Sequence, residues 1–211
     1  MKAIDCSLHR LGVDYIDVCL IHWPGSAKFK PDDSEQVELR IQTWLALEHA
    51  KKKHVVRTIG VSNFLPRHID SILSDPRTSI VPAINQIELH PLLLQTATIT
   101  YCSQKSIAIQ SYSTLGQGNT ALLQHPTILS IVSAIRERMG CDSVSSCHVC
   151  LRWAMQHGYA VIPRSSNPER IEDNARALLI CDLSDIEMSD IDSISIQDGE
   201  KKFCWDPSAI C

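Results

Sequence analysis

Long hydrophobic runs are missing from this 211-residue chain; none reaches the roughly 18 apolar residues that a membrane span requires. The stretch Met1 to Cys6 lacks the basic-then-apolar layout of a secretory leader. Excess positive charge is missing too. Twenty Lys and Arg against 24 Asp and Glu leave a net charge of -4, which gives nucleic acid or an anionic membrane no electrostatic reason to bind. Glycine is scarce at eight residues, and no G-x-G-x-x-G is present, the motif that usually opens a doubly wound dinucleotide-binding sheet. Cysteine is the exception to this sparseness. There are nine, an odd number, without the leader or small core of a secreted disulfide scaffold. They are expected to be mostly reduced, buried small apolar groups in a cytoplasmic protein. Cys147 and Cys150 form a C-x-x-C inside a helical pattern, with no second ligand pair, so neither a metal site nor a redox pair is expected.

What is present is an alternation. Five short runs rich in β-formers each end in polar residues and lead into a helical stretch: Tyr15 to Ile21, Arg57 to Val61, Ala83 to Ile87, Ile107 to Tyr112 and Tyr159 to Pro163. The helical stretches are Ala3 to Leu11, Val37 to Lys52 (apolar face Leu39, Trp44, Leu45, Leu47, Ala50), one opening at Pro66, Thr96 to Lys105, Thr127 to Met139, Val144 to His157, one opening at Asn167-Pro168-Glu169, and Ser184 to Ser195. The tail from Gly199 to Cys211 reads as irregular. Strand–helix alternation argues for an α/β fold with a parallel sheet. Polar side chains at every strand end favour a barrel over an open sheet, since barrel enzymes build their sites there. A barrel has eight strands; this chain shows five, with room for only one helix before Tyr15.

The strand ends, taken in order, resemble the aldo-keto reductases. Leu11 to Gly25 (LGVDYIDVCLIHWPG) is similar to the family segment that ends in the active-site histidine. Thr58 to Phe64 (TIGVSNF), Asn85 to Pro91 (NQIELHP), Ser111 to Gly118 (SYSTLGQG) and Val161 to Asn174 (VIPRSSNPERIEDN) resemble its cofactor segments, and Cys204 to Pro207 (CWDP) resembles its end. The resemblance implies a partial (β/α)8 TIM barrel, about five of eight βα units (fourth to eighth strands), with residues 1–211 a single domain forming its C-terminal five-eighths. It also implies an NADP(H)-dependent oxidoreductase that reduces aldehydes or ketones, with a small-molecule carbonyl substrate and no nucleic-acid or membrane partner.

The residue chemistry agrees with those roles. Ser62, Asn63 and Gln86 supply donors and acceptors for a nicotinamide carboxamide, and Tyr112 offers a π-face for its ring. Ser113, Leu115 and Gly116, in a loop before a helix, suit the pyrophosphate. Arg164, Ser165, Ser166 and Arg170 bring positive charge and donors to a helix start, as a ribose 2′-phosphate needs, and Asp173 and Asn174 match the adenine and ribose end. His22 matches the histidine that hydrogen-bonds the substrate carbonyl, and Trp23 a pocket wall. His9, His49, His54, His68, His125 and His157 read as surface or helix-end residues, and His90 as structural. The family's aspartate, tyrosine and lysine find no match, and the four tyrosines present are all otherwise placed. The chain is therefore expected to be a truncated, weakly active or inactive reductase, prone to self-association through open sheet edges. The alternative is a non-catalytic NADP-binding or scaffold protein derived from the family.

Overall fold

The computed structural model describes residues 2–211, and in it the strands form one 5-stranded sheet in the order β1-β2-β3-β4-β5. The strands are β1 (Ile16–Ile21), β2 (Val56–Ser62), β3 (Ile84–Glu88), β4 (Ala108–Tyr112) and β5 (Ala160–Val161). β1 and β2, β2 and β3, and β4 and β5 pair in parallel. Helices α1 (Lys2–Leu11), α2 (Glu35–Lys52), α3 (Pro66–Leu73), α4 (Thr96–Gln104), α5 (Thr120–Leu123), α6 (Pro126–Met139), α7 (Ser146–Gln156), α8 (Pro168–Ala175) and α9 (Asp185–Asp198) separate or follow them. All five expected strands are present, the fifth cut to two residues. The four-residue α5 was not expected, and Asn119 makes it possible by accepting the Ala121 N–H at 2.8 Å. No described helix is long and apolar enough to cross a membrane.

The chain divides into two compact units. The first comprises residues 2–86, 97–108 and 206–211. In it β1 pairs with β2 from Ile16↔Val56 to Ile21↔Val61, and β2 meets β3 at Val61↔Asn85 and Ser62↔Gln86. Gly60 makes that spacing possible: a Cβ there would lie 2.6 Å from the Ile84 carbonyl oxygen and 2.8 Å from Leu20 Cδ2. Trp44, Ile59, Val61, Phe64, Ile69 and Ile72 form the dry core. Helix α2 departs from its expected apolar face, because Leu39 is exposed while Gln36, Arg40 and Glu48 are buried. The reason is hydrogen bonding. Glu48 accepts the N–H groups of Ser79 (2.7 Å) and Ile80 (2.8 Å), the Ser79 hydroxyl (2.9 Å) and the Trp44 indole (3.1 Å). Burial pushes its pKa up, but the bonds from Ser79 and Ile80 outweigh this and hold the carboxylate below its usual range.

The second unit comprises residues 87–96 and 109–205. Here Gln110↔Ala160 and Ser111↔Val161 align β4 with β5. Pro126 opens α6, and Gly140, left-handed at φ 59°, ends it as its sequence predicts. Helix α9 starts in a capping box, Ser184 and Glu187 bonding each other's N–H at 3.3 and 2.7 Å. Arg138 joins Glu187 at 2.9 Å, tying α6 to α9, and Trp153 donates to Asp192 at 2.8 Å, tying α7 to α9.

Two expectations fail. Of the nine cysteines, all free, only Cys102 and Cys150 are buried; six are half-buried and Cys6 is exposed. Of the seven that are not buried, Cys6, Cys19 and Cys147 lie on regular elements and Cys141, Cys181, Cys204 and Cys211 on irregular segments, so size and polarity alone did not send them inward. His68 is fully buried rather than superficial. Its Nδ1 accepts the Leu65 N–H at 3.1 Å, and its Nε2 meets the Ile210 carbonyl oxygen at 2.8 Å. A side chain that satisfies one helix N-terminus and one tail carbonyl is held inside by those bonds.

Burial lowers the His68 pKa to about 4; the Ile210 carbonyl opposes the shift, and the charges of Arg40 and Arg67 add to it. An unfolded histidine titrates near 6.5, at about which pH the unfolded chain begins to take up a proton that the folded chain refuses. This part of the stability is complete above about pH 6.5 and is lost as pH falls toward 4. In urea unfolding, wild type should exceed His68→Gln at pH 7, and the gap should shrink by pH 4.5. A gap constant across that range would overturn the assignment.

Candidate functional site

The expected site residues fall in two groups, one in each unit. In the first, the chain leaves β1 at His22 and β2 at Ser62–Asn63, and Gln86 lies at the middle of β3. A single hydrogen-bonded row links them. Asn63 Nδ2 donates to the His22 carbonyl at 3.0 Å and to Ser62 Oγ at 3.2 Å. The Asn63 N–H and the Ser62 hydroxyl both donate to the Gln86 carbonyl, at 2.9 and 2.8 Å. Asn63 reaches this geometry in the left-handed region, φ 64°, which asparagine tolerates better than most residues. Ser62 and Asn63 are buried, Gln86 and Trp23 half-buried, and His22 exposed. The His22 and Trp23 rings sit 5.9 Å apart.

The loop after His22 is held from α2. Gln36 accepts the Ser26 N–H at 2.7 Å and donates to the carbonyls of Ser26 (3.0 Å) and Lys30 (3.2 Å). Arg40 donates to the Pro24 carbonyl at 2.7 Å, to Ser71 Oγ at 2.7 Å and to the main-chain oxygen of Cys211. Neither residue figures in the sequence reading. The signal was two polar side chains four apart on a helix otherwise read by its apolar positions. Of the tyrosines in this unit, Tyr15 precedes β1, at the end opposite His22, with Arg57 3.6 Å over its ring, and Tyr101 on α4 bonds Asp70.

In the second unit Tyr112 ends β4 half-buried, and burial raises its pKa, with Cys204 and Glu88 adding to the rise. Ser113 follows in a left-handed turn, φ 52°. Leu115 is half-buried and Gly116 buried, at φ 55°; a Cβ on Gly116 would lie 3.0 Å from Leu122 Cδ2 and 3.1 Å from Phe203 Cε2. This segment is lined by the tail: Cys204 Sγ meets Gln117 Nε2 at 2.9 Å and Ser113 Oγ at 3.5 Å. The tail is anchored by Glu88, at the end of β3 and 1% exposed. Its carboxylate accepts the N–H groups of Phe203 (2.7 Å) and Cys204 (3.2 Å), with Lys202 Nζ at 3.2 Å and His90 Nε2 at 3.3 Å. Burial pushes Glu88 upward, but His90, the Phe203 N–H and Lys202 together hold it down to about 2. The sequence reading gives Glu88 no role; a carboxylate directly after the run Ala83 to Ile87 was its signal.

Arg164, Ser166 and Arg170 are exposed and Ser165 half-buried. Ser165 Oγ accepts the Asn167 N–H at 3.1 Å. Asn167 caps α8, accepting the N–H groups of Glu169 (2.8 Å) and Arg170 (3.4 Å). Arg170 thus stands in the first turn, where an added anion gains from the helix dipole. Asp173 and Asn174 lie in the last turn, half-buried. No cluster of three or more metal-binding side chains occurs among the described residues.

A family model described as the Aldo/keto reductase family matches residues 1–196. The chain is 35% identical to glycerol 2-dehydrogenase (NADP(+)) of Saccharomyces cerevisiae, over 97% of this chain and 69% of that protein. It is 35% identical to glyoxal reductase of Bacillus subtilis, over 100% of this chain and 67% of that protein. A mutant of Gox0644 in complex with NADPH superposes with a TM-score of 0.81 at 32% identity, over 98% of this chain and 68% of that one. Across such curated relatives the chain spans 61% to 69% of their length.

The Glu88 anchor sets an expectation. In Glu88→Gln the amide NH2 cannot accept, so at least one tail N–H loses its partner, at about 1–3 kcal/mol. Trypsin should then cut after Lys202 several-fold faster than in wild type; equal cutting would show that the carboxylate does not hold the tail. The anchor depends on ionisation. With the Glu88 pKa near 2, its contribution is present above about pH 4.5 and lost as pH falls toward 2.

Proposed function

Because the chain belongs to the aldo/keto reductase family, we propose that its 211 residues carry the cofactor-holding and carbonyl-orienting part of an NADP(H)-dependent carbonyl reductase. In this reading the five strands are the fourth to eighth of a (β/α)8 barrel. The observation that carries it is the Asn63 row, which ties Ser62 and Asn63, at the end of β2, to the carbonyls of His22 and of Gln86 on the neighbouring strand β3. That donor and acceptor set fits a carboxamide. The exposed guanidiniums of Arg164 and Arg170 at the start of α8 fit a 2′-phosphate, and the NADPH complex of a 32% identical protein supports the same choice. The substrate is a small aldehyde or ketone, as the names of the glyoxal and aldehyde reductase relatives suggest.

When bound, NADPH supplies the hydride for the carbonyl carbon. His22, exposed at the end of β1, donates a hydrogen bond to the carbonyl oxygen and so orients it and draws its charge. Gln36 and Arg40 hold residues 24–30, the loop that follows Trp23, which serves as a pocket wall. Tyr112 presents its ring to the nicotinamide and keeps its proton, since burial raises its pKa. The oxygen also needs a proton, and neither tyrosine in the unit of His22 stands near it. Full turnover therefore draws on a donor outside these residues. General acid catalysis contributes about 100- to 10,000-fold, so the chain by itself binds cofactor but turns over poorly. That shortfall favours the second reading, a cofactor-binding chain that is not catalytic alone. β1 is an end strand with Val18 43% exposed, an edge through which copies self-associate.

Two measurements test this. NADPH should bind more tightly than NADH, and Arg170→Ala should weaken NADPH roughly 10- to 100-fold while leaving NADH nearly unchanged, the range of one charge-assisted hydrogen bond. A preference that survives the substitution would unseat Arg170. The 211-residue chain should reduce a simple aldehyde no faster than background. Turnover abolished by His22→Ala would show that these residues contain their own proton donor.

A further inference from the structure

Helix α8 carries Arg170, Asp173 and Asn174, yet none of its residues is buried. Hydrophobic packing therefore does little to fix its position. One buried side chain from α7 reaches it. His148 is 1% exposed and sits in the first turn of α7, where its Nδ1 accepts the Ser145 N–H at 3.1 Å. That bond leaves the ring proton on Nε2. The Nε2–H points at Asp173, 2.8 Å from its carbonyl oxygen and 3.2 Å from Oδ1. The carbonyl belongs to the last turn of α8 and also takes the Arg176 N–H, so the imidazole is a second donor to it, from outside the helix. The Asp173 carboxylate is turned toward the same ring, with Arg176 at 3.9 Å. The charges of Asp173 and, one turn back, Arg170 both act on Cys147, the neighbour of His148. His68 does the same work elsewhere, joining the Leu65 N–H to the Ile210 carbonyl.

We infer that His148 is a positioning residue for the adenosine end of the cofactor: by latching Asp173 it holds α8 in the register that presents Arg170 to a 2′-phosphate. The inference rests on the NADP(H) reading above. It also gives Asp173 a different part, that of a latch to His148 rather than a ligand contact. The matching fragments are 2′,5′-ADP for the adenosine end and reduced nicotinamide mononucleotide for the other.

The test is calorimetric titration of the full chain with 2′,5′-ADP, 5′-AMP and reduced nicotinamide mononucleotide. His148→Ala should weaken 2′,5′-ADP about tenfold, the order of one lost charge-assisted contact, and leave the mononucleotide within twofold. His148→Gln, whose amide can donate to the Asp173 carbonyl, should recover most of the loss. Asp173→Ala, which keeps that carbonyl, should change 2′,5′-ADP binding less than threefold. Unchanged 2′,5′-ADP affinity in His148→Ala, an equal loss for both fragments, or a large loss in Asp173→Ala with none in His148→Ala would overturn the latch. A wild-type chain that does not prefer 2′,5′-ADP to 5′-AMP would overturn the NADP(H) reading itself, and the latch with it. Should His148→Ala fail to fold, His148→Phe, which keeps a ring but cannot donate to the Asp173 carbonyl, takes its place: a loss confined to 2′,5′-ADP supports the latch and unchanged affinity overturns it.

Discussion

Asn63 is the residue on which the strand ends of the first unit depend. Its left-handed backbone turns the chain out of β2, and its amide reaches the carbonyl of His22 while its N–H takes that of Gln86. Three neighbouring strands are thereby fixed against one another by one residue. A buried amide left unpaired costs about 1–3 kcal/mol, so the arrangement resists any local change that would break a single bond. The strained conformation and the bonding network support each other, as is common where a backbone must hold polar groups in one place.

The loops follow the same logic at larger scale. Gln36 and Arg40 secure the loop after β1, Glu48 secures Ser79 and Ile80, and Glu88 secures Phe203 and Cys204. Each is a buried polar or charged side chain on a regular element, and each serves main-chain groups that would otherwise be orphaned. Burying a carboxylate is unfavourable unless its oxygens are fully used. In Glu48 and Glu88 they are, and both stay ionised against their burial. Irregular segments are thus held in place by hydrogen bonds to their main chain.

The five strands and most helix ends were legible because they rest on local chemistry: β-branched runs, Pro66, Pro126 and Pro168 at first helical turns, Asn167 as a cap, Gly140 as a stop. The candidate positions came from the order of the strand-end motifs, and the structure brings Ser62, Asn63 and the Gln86 carbonyl together with His22. What the sequence hid was nonlocal. Nothing near His68 announces that the Ile210 carbonyl will lie beside it, 142 positions away. Glu88 and the Phe203 amide are 115 positions apart. Periodicity reads such residues as solvent-facing because it sees polarity but not the partner that makes burial tolerable. The cysteines erred in the other direction, since a small apolar group is content at many depths.

The exposure of α8 has a consequence for how such a protein changes over generations. Substitutions at exposed positions away from caps and networks usually alter stability by less than about 0.5 kcal/mol. Arg164, Ser166 and Arg170 are all of this kind. Mutation can therefore explore this helix face almost freely, with the folded state insensitive to the outcome. Coenzyme choice, if it is written there, is a trait that can drift or be redesigned independently of the scaffold, provided that the residues beneath, His148 first among them, stay as they are.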